Sequence, residues 1–591
     1  MMRYLSPPKE KKTTKVQNKT YVYKRLWDYL MRYKVKLILA IILTIVSNAF
    51  SLIGPYLTGL TIGAMESGVN FDLVFLYGGL MLVFYVLSAI LLYIISRVMI
   101  DISKSVVFQM RQDLFEKLNR LPIKYFDDHQ TGDIIAKMSY DIDTINQSLA
   151  GDVIVLMTSI LTITISLSVM IVTAPLLVLI FTVTIPIAII LTTVLSKIVK
   201  KRFRERNQKL GEMNGYAEEM ITGHQSVKSY VLESTVIEDF EDINQKASEK
   251  SYAAGYYATA VMPSVGFINN LSMALVGVFG GILYVSNMMT LAILTTFTLY
   301  SRRFSGPINQ LSGLFAEIQS ALSASERVFS VLDAEEEVKD IDNATLYENE
   351  GGHMMLSDVS FSYDGEHEVL TNINVEAPKG DVVAIVGPTG SGKTTLVNLL
   401  MRFYDPKQGG ISLDGKPILS FKRDSLRKAF SMILQDSWVF YGSIYENIAY
   451  GNDHLTKEDI IEAAKASHIH DYIMSLDEGY DTILKHDGNT LSKGQKQLIV
   501  IARAMLSKTN MLILDEATSN VDTQTEIKIH QAMRKLMKDK TTFVIAHRLS
   551  TIQDADLILV IHFGKMIEIG THHSLLKQNG FYANLFNSQF K

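Results

Sequence analysis

Four long stretches without a charged residue limit most strongly what this chain can fold into. The stretches that lack Asp, Glu, Lys and Arg are residues 37–65, 73–96, 153–196 and 251–301. A membrane-spanning helix needs about 20 mostly apolar residues, so the first two stretches each hold one span. The third breaks near Ala174-Pro175 and the fourth turns near Ser286-Asn287, so each predicts two spans. One such stretch could be a soluble core helix, but four predict a domain of six transmembrane helices.

The positive charges beside these stretches predict which side of the membrane each end faces. Lys34 precedes the first span, and segments rich in Lys and Arg follow the second span (97–137) and the fourth (197–209). The opposite turns contain neither residue type. Because Lys and Arg remain on the cytoplasmic side, we expect both termini to be cytoplasmic, most simply at a bacterial plasma membrane. Topology explains these charges better than nucleic-acid binding does, and the net charge is -4.

The two charged segments between spans are amphipathic and too long for simple turns. They separate the second span from the third and the fourth from the fifth. At 1.5 Å per residue, ~25 helical residues reach nearly 40 Å, so these segments predict long cytoplasmic extensions of the helices. Residues 121–133, with Pro122 at a helix start, and residues 218–230 are the candidate reversals. We expect each reversal to contact the C-terminal domain; solvated loops would not explain their interleaved apolar residues.

A glycine-rich run, GPTGSGKTT, begins at Gly387 in the C-terminal half. An apolar strand, VVAIV at 382–386, precedes the run, and a predicted helix follows it, as the phosphate-binding loop of nucleotide-binding proteins requires. We expect Lys393 to reach the β- and γ-phosphates of ATP and Thr394 to coordinate Mg²⁺. The candidate ATP-binding residues of the loop are Gly387, Pro388, Thr389, Gly390, Ser391, Gly392, Lys393, Thr394 and Thr395.

A second apolar strand, MLIL at 511–514, ends in the acidic pair Asp515 and Glu516. We expect Asp515 to hold Mg²⁺ through water and Glu516 to polarise the attacking water as the general base. Such pairs also occur at ordinary turns that end strands. The phosphate loop in the same half of the chain favours the catalytic interpretation.

The run LSKGQ at 491–495 lies directly before an amphipathic helix. Helix N-termini carry free N–H groups and a dipole that favours anions. The turn formed by Ser492, Lys493, Gly494 and Gln495 is therefore predicted to meet a phosphate group.

In this order, the motifs resemble those of ATP-binding cassette (ABC) exporters, over about residues 21–589. By resemblance, Tyr363 would stack on adenine and His547 would contact the γ-phosphate. Gln435 would sense Mg²⁺ together with Thr394 and Asp515. Asp522 would form the aspartate loop. Alternatively, these four newly named residues could be a strand aromatic, a surface amide, a helix cap and a strand-end histidine. The resemblance implies an α-helical membrane domain fused to an α/β P-loop ATPase cassette. It also implies a dimer that binds two ATPs between its cassettes, each site using one chain's phosphate loop and the other chain's LSKGQ turn.

The chain departs from the family pattern at the signature turn, where LSGGQ is usual and Lys493 is present. Just upstream, Lys485, His486 and Asp487 also diverge. Glycine allows close backbone approach, whereas lysine adds a side chain and restricts φ. The signature turn thus departs from the family pattern, whereas Lys393, Asp515, Glu516 and His547 match it. This combination resembles one half of heterodimeric exporters, in which one ATP site is impaired. Alternatively, lysine is tolerated and its ammonium adds a phosphate contact.

The sixth predicted span carries Arg302 and Arg303 about 20 Å from its start. Charges at such depth usually face water or a partner, which suggests a cationic part of a transport cavity. Snorkelling to the inner headgroups is equally compatible with their position. Further candidates for the cavity lining are Asn269, Asn270, Phe297 and Tyr300.

These observations predict a tail (1–20), a transmembrane domain (21–332), an acidic linker (333–352) and an ATP-binding cassette (353–591). Cysteine is absent, which excludes disulfides and thiolate metal sites. The leading hypothesis is ATP-driven multidrug export of hydrophobic or amphipathic compounds by a heterodimer. The alternatives are a homodimeric lipid flippase or peptide exporter and, in another class, an ATP-gated channel or regulator; an intact Glu516 argues against the last.

Overall fold

A computed structural model describes most of the chain, with gaps. The described residues are 19–66, 68–348, 351–435, 437–452, 454–485, 491–515, 522–546 and 552–590. They form two compact units. The helical unit contains the chain up to Leu121 together with His129–Glu336, and the cassette unit contains Pro122–Asp128 and the chain from Glu337 onward.

Long helices make up the helical unit, with short helices at the reversals between them. The helices are α1 (Lys19–Met31), α2 (Lys34–Glu66), α3 (Phe71–Leu118), α4 (Ile123–Asp127, grouped with the cassette), α5 (Thr131–Ala136), α6 (Ile142–Gln147), α7 (Val153–Thr173), α8 (Pro175–Thr222), α9 (His224–Ser229), α10 (Glu233–Val285) and α11 (Leu291–Leu332). Two π-helical turns, Lys137–Asp141 and Ser148–Asp152, join α5, α6 and α7 into one continuous helical stretch.

The predicted breaks between spans are confirmed. Helix α7 ends at Thr173, and Pro175 begins α8, where its missing N–H costs no hydrogen bond. After α10 ends at Val285, the hydroxyl of Thr290 caps α11 by accepting a hydrogen bond from the backbone N–H of Ile293 at 3.3 Å. Helix α2 packs along α3, α7 along α11, and α8 along α10.

Five of the six predicted spans have the length and composition of membrane-crossing helices. Among the described residues, the stretches that qualify are Lys34–Glu66, Phe71–Leu118, Thr131–Thr173, Pro175–Thr222 and Glu233–Val285. Helix α11 holds the sixth predicted span, but Arg302 and Arg303 interrupt its apolar first three turns. The sixth span therefore stays a prediction.

The predicted cytoplasmic extensions are continuous with the spans. Helix α8 has 48 residues and α10 has 53, so they measure about 70 and 80 Å at 1.5 Å per residue. The hydrocarbon core of a membrane is about 30 Å thick. Both predicted reversals are present, since Pro122 precedes α4 and α9 follows the end of α8 at Thr222.

The cassette is an α/β unit built on one extended sheet. Its strands are β1 (Met354–Phe361), β2 (Leu370–Ala377), β3 (Val382–Val386), β4 (Gln408–Leu413), β5 (Lys416–Pro417), β6 (Phe430–Ile433), β7 (Gly442–Ser443), β8 (Ile483–Leu484), β9 (Met511–Asp515), β10 (Thr541–Ile545), β11 (Leu557–His562) and β12 (Lys565–Gly570). Its helices are α12 (Lys393–Leu400), α13 (Arg423–Lys428), α14 (Ile444–Ala449), α15 (Lys457–Ala466), α16 (His470–Met474), α17 (Lys493–Leu506), α18 (Thr523–Met537), α19 (His572–Gln578) and α20 (Phe581–Phe590).

In the described residues, the large sheet has the order β5-β4-β1-β2-β12-β11-β3-β10-β9-β6. Strands β11, β3, β10, β9 and β6 are parallel, whereas β1, β2, β4 and β5 pair antiparallel. Strand β3 shows why the parallel strands are apolar throughout. Val383 and Ile385 pack on one face of the sheet, and Ala384 and Val386 pack on the other. Strands covered on both faces need such continuous apolar runs.

The acidic linker has specific partners from Glu337 onward. Arg427 donates two hydrogen bonds to the Glu337 carboxylate, at 3.0 and 2.5 Å. The Asp340 carboxylate accepts the backbone N–H of Arg423 at 3.1 Å and lies 3.6 Å from the buried guanidinium of Arg402. These ion pairs hold the linker against the cassette from Glu337 onward.

Candidate nucleotide-binding site

The phosphate loop has the geometry that its sequence predicts. Strand β3 ends at Val386, the glycine-rich loop follows, and α12 begins at Lys393. Gly390 and Gly392 have φ of 81° and 103°, in the region that favours glycine. At Gly387, an added Cβ would lie 2.1 Å from the carbonyl oxygen of Ile561. The loop can therefore pass close to β11 only because glycine is present.

Lys393 lies across this loop and is 7% exposed. Its ammonium donates hydrogen bonds to the carbonyl oxygens of Gly387 (2.8 Å) and Pro388 (3.0 Å). Burial lowers the pKa of Lys393, and the nearby Asp515 carboxylate partly opposes this effect. Since an ammonium has three donors, the third can contact a phosphate oxygen.

A cavity of about 460 Å³ adjoins the loop and brings together residues from five parts of the sequence. It is lined by Val369, Thr389, Gly390, Gly392, Lys393, Thr394, Thr395, Gln435, Asp515 and Ile545. Asp515 ends β9, and Gln435 follows β6, which pairs directly with β9. The carboxyl ends of parallel strands meet at one edge of a sheet, so distant motifs converge here.

The oxygen atoms available in this cavity suit Mg²⁺. Thr394, Gln435 and Asp515 offer a hydroxyl, an amide oxygen and a carboxylate, and Mg²⁺ prefers oxygen ligands completed by phosphate and water. Asp515 is the one carboxylate among them, and the described chain holds no cluster of three His, Cys, Asp or Glu that could bind a metal ion. Bound there, Mg²⁺ would neutralise phosphate charge.

Two predicted catalytic residues, Glu516 and His547, lie outside the described residues, as do His486 and Asp487. The structure does describe the ends of β9 and β10, the strands that precede Glu516 and His547 in the sequence. Asp515 pairs with Ile545 across the parallel strands β9 and β10. Glu516 directly follows the first of these residues, and His547 follows Ile545 by two positions.

Tyr363 lies beside the phosphate-loop helix. Its hydroxyl donates to the hydroxyl oxygen of Thr395 at 3.1 Å, and its side chain remains partly exposed. The ring packs edge-on against Phe361 and Tyr404, with centroids 4.9 and 5.0 Å apart. Backbone N–H groups, that of His367 foremost, lower the pKa of the adjacent Asp364 and fix the turn. The exposed ring is available for stacking on a base, a role that stays a prediction.

The signature turn is a capped helix start. The Ser492 hydroxyl accepts the N–H of Gln495 at 3.2 Å, and the Gln495 side chain accepts the N–H of Ser492 at 2.8 Å. Lys493 is exposed at the first position of α17, Gly494 is buried, and Gln495 is partly buried. Lys493 is not among the residues with positive φ, so a lysine costs no backbone strain here. Backbone strain is therefore no argument against lysine here, while hindrance of a phosphate by its side chain stays a prediction.

Asp522 caps α18, accepting the backbone N–H of Thr525 at 3.0 Å, which lowers its pKa. The alternative interpretation as a helix cap thus accounts for this residue within the described chain. Its proposed contact across a dimer stays a prediction.

Sequence analysis missed Val369 and Ile545, which also line the cavity. Both are ordinary aliphatic residues, directly before β2 and at the end of β10, so no sequence signal distinguished them. Ser391, one of the predicted loop residues, has a buried hydroxyl without a hydrogen-bond partner in the described structure.

Comparison with known proteins identifies the family. Residues 37–308 match the ABC transporter transmembrane region, and residues 370–519 match the ABC transporter family. An uncharacterized ABC transporter ATP-binding protein of Bacillus subtilis is 38% identical over 98% of this chain and 96% of its own length. A solved bacterial Atm1-family ABC exporter with ATP bound has a TM-score of 0.77 and 27% identity, covering 94% of this chain and 98% of its own.

This chain belongs to the ABC transporter family. As an ABC transporter, it couples ATP hydrolysis to transport, with Mg²⁺ as the usual partner of ATP. The fold predicted from the sequence, a helical membrane domain fused to a P-loop ATPase cassette, is confirmed.

Two further relatives of this ABC transporter have named cargo. The fatty acid ABC transporter ATP-binding/permease protein of Mycobacterium bovis is 40% identical over 88% of this chain and 82% of its own length. The ATP-dependent lipid A-core flippase of Desulfotalea psychrophila is 33% identical over 96% of this chain and 99% of its own length.

The predicted cavity residues of this ABC transporter separate into two groups. Phe297 is fully buried, and Tyr300 is buried with its hydroxyl donating to the carbonyl oxygen of Leu52. Both belong to an apolar core with Phe181 and Phe304, so here they serve packing and do not line an open wall. By contrast, Asn269 is partly buried, and Asn270, Arg302 and Arg303 are exposed on their helices.

Proposed function

We propose that this ABC transporter exports amphipathic compounds with an apolar tail and an anionic head across a bacterial plasma membrane. Its cassette and both termini would then lie in the cytoplasm, as the flanking Lys and Arg residues predict. The names of the mycobacterial and Desulfotalea relatives, which mention fatty acid and lipid A-core, support lipid-like cargo.

The observation that carries the proposal is the exposed pair Arg302 and Arg303. They follow an apolar run that begins at Leu291, and at 1.5 Å per residue they lie about 17 Å along α11. Charges at membrane depth are costly unless water or an opposite charge accompanies them. An anionic headgroup would supply the opposite charge while its tail remains among apolar side chains.

Transport into proteoliposomes tests the proposal. We expect ATP to drive the movement of a fluorescent long-chain fatty acid more strongly than that of a long-chain alkylammonium of equal length. The double variant Arg302→Glu/Arg303→Glu should instead prefer the alkylammonium. We expect the ratio of fatty-acid to alkylammonium transport to fall by about tenfold, which corresponds to one lost charge contact of about 1.4 kcal/mol. Lys393→Ala is the control that should stop both. Equal transport of the two probes, or an unchanged preference in the double variant, would contradict the proposal.

A second candidate is multidrug export by a heterodimer, and Lys493 is the observation that favours it. ABC half-transporters dimerise, and a phosphate loop in one chain would face the signature turn of the other. Lys493 replaces a usual glycine in that turn, whereas Lys393, Asp515 and Glu516 match the family pattern. This chain would then contribute its Glu516 to the competent site and its LSKGQ turn to the impaired one.

A further inference from the structure

A short segment directly after the phosphate-loop helix forms a hydrogen bond with α4, through Tyr404 and Asp127. This bond has no part in holding the nucleotide. Helix α12 begins at Lys393 on the phosphate loop and ends at Leu400, a length of about 12 Å. Residues 402–405 follow it, and we name them the junction segment. Three of its side chains, those of Arg402, Tyr404 and Asp405, form specific polar contacts with other parts of the cassette unit.

Tyr404 connects the base-stacking candidate to the first cytoplasmic reversal. Its ring lies perpendicular to that of Tyr363, with centroids 5.0 Å apart, and it also packs on Phe361. Its hydroxyl donates a hydrogen bond to the carboxylate of Asp127, in α4. Residues 122–128 group with the cassette, so this bond lies within one compact unit.

The backbone around Tyr404 is held by ion pairs on both sides. Arg402 is 3% exposed and donates from Nε to Asp405 at 3.1 Å, while its Nη1 donates to the carbonyl oxygen of Phe421 at 2.9 Å. Asp405 also accepts from Arg423 at 2.8 Å. Arg402 has a φ of 51°, a strained value that persists only where surrounding contacts enforce it. Tyr404 therefore has little freedom to move independently of α12.

We propose that Tyr404 is a positioning residue that links nucleotide binding at Tyr363 to the position of α4, through its hydrogen bond to Asp127. A base stacked on Tyr363 occupies one side of an aromatic cluster, and the Tyr404 hydroxyl on the other side fixes α4. Energetic coupling between two sites is reciprocal, so breaking the bond uncouples α4 from the nucleotide. The inference rests on ATP binding and is independent of the cargo assigned above.

A reporter on α4 tests this role in the full-length protein in lipid nanodiscs. The chain has no cysteine, so Lys124→Cys, at an exposed position of α4, accepts one environment-sensitive fluorophore. ATP should change its emission. In Tyr404→Phe, which retains the ring but lacks the hydroxyl, we expect this change to fall at least fivefold, while the Kd for a fluorescent ATP analogue stays within about threefold.

Asp127 supplies the reciprocal test. Asp127→Ala should lose the ATP-induced signal, and Asp127→Asn should restore most of it because an amide oxygen still accepts the tyrosine hydrogen. If Tyr404→Phe does not fold, this pair of variants decides the question alone. A signal that persists in Asp127→Ala would overturn the proposal.

Tyr347→Phe is the matched control, since the Tyr347 hydroxyl donates to Asp414 at 2.7 Å elsewhere in the cassette. We expect it to leave the reporter signal unchanged. Equal loss in Tyr347→Phe and Tyr404→Phe would show a general weakening of the cassette and would refute a specific role of Tyr404. An unaltered signal in Tyr404→Phe would refute it as well.

Discussion

Gly387 shows how one missing side chain sets the shape of the phosphate loop. An added Cβ would lie 2.1 Å from the Ile561 carbonyl oxygen and 2.8 Å from the Ser391 hydroxyl. We expect Gly387→Ala to displace the loop from β11, to cost about 1–3 kcal/mol of stability, and to weaken ATP binding. Thermal unfolding and titration with a fluorescent ATP analogue measure both effects.

Gly410→Ala is the control for this substitution, because an added Cβ at Gly410 meets no atom within 4 Å. It should leave ATP affinity unchanged. If Gly387→Ala binds ATP as the control does, contact with β11 does not shape the loop.

Lys393 gives a pH dependence whose sign follows from its burial. Its pKa is lowered in the folded protein, so between that value and the ordinary lysine pKa near 10.5 the unfolded chain binds more protons. Folding stability of the nucleotide-free protein should therefore rise with pH in this window, while ATP affinity falls because the ammonium is lost. Melting temperatures and ATP affinities measured up to alkaline pH check both trends. Lys393→Met should lack them, and identical pH profiles for the two proteins would contradict the assignment.

At the scale of single residues, the sequence was most informative where chemistry needs one residue type. Lys393, Thr394, Gln435 and Asp515 converge on one cavity as their motifs predict. Phe297 was misassigned to a cavity because the sequence does not distinguish an aromatic residue in a hydrophobic core from one that lines a binding cavity. Only its burial distinguishes the two.

The linker illustrates what the contacts of a single element add. Asp340 and Glu337 pair with Arg402, Arg423 and Arg427, the first two of which are buried. Removing one partner of a buried ion pair costs about 3–5 kcal/mol, because the remaining charge stays desolvated. Asp340 is partly exposed, so removing its carboxylate should cost less stability than that. We expect Asp340→Ala to lower the free energy of unfolding by about 2 kcal/mol.

Denaturant unfolding of the full chain measures this loss. Asp242→Ala breaks the exposed pair between Asp242 and Lys246 and should leave stability almost unchanged, since water screens such surface pairs. Equal effects of the two substitutions would show that the linker is not clamped to the cassette.

Elements with strong periodic or compositional signals were predicted well. The breaks at Ala174-Pro175 and after Val285 follow from proline chemistry and from the loss of apolar character. The π-helical turn Lys137–Asp141 was not foreseen, since an extra residue in a helix leaves no local sequence signal. The clamped linker was missed because the arginines that bind it lie more than 60 residues away in sequence.

For the assembled transporter, the decisive question is whether its two ATP sites are equivalent. If a partner chain supplies a complete signature turn, Glu516→Gln in this chain should reduce ATP turnover of the pair at least 100-fold, a typical contribution of a general base. Lys493→Gly should raise turnover only if the site served by this turn is impaired. ATPase assays on the complex purified from native membranes, with its subunits identified by mass, measure both. A homodimer of this chain with full ATPase activity would contradict the asymmetric arrangement.

At this scale the sequence predicted the two-part fold and the family, but not the cargo. Fold follows from burial and repeated apolar patterns that extend over hundreds of residues. The proposed cargo, by contrast, rests on a few exposed side chains such as Arg302, which no long-range pattern marks.

The length of α10 has a mechanical consequence. A rigid rod of about 80 Å that tilts by about 5° displaces its far end by roughly 7 Å, more than one helical turn. Pro263 lies inside this rod and removes one backbone hydrogen bond, so it is a natural point of bending. We therefore expect a tilt of the segment before Pro263 to reach the segment after it only in part, because the helix can bend between them.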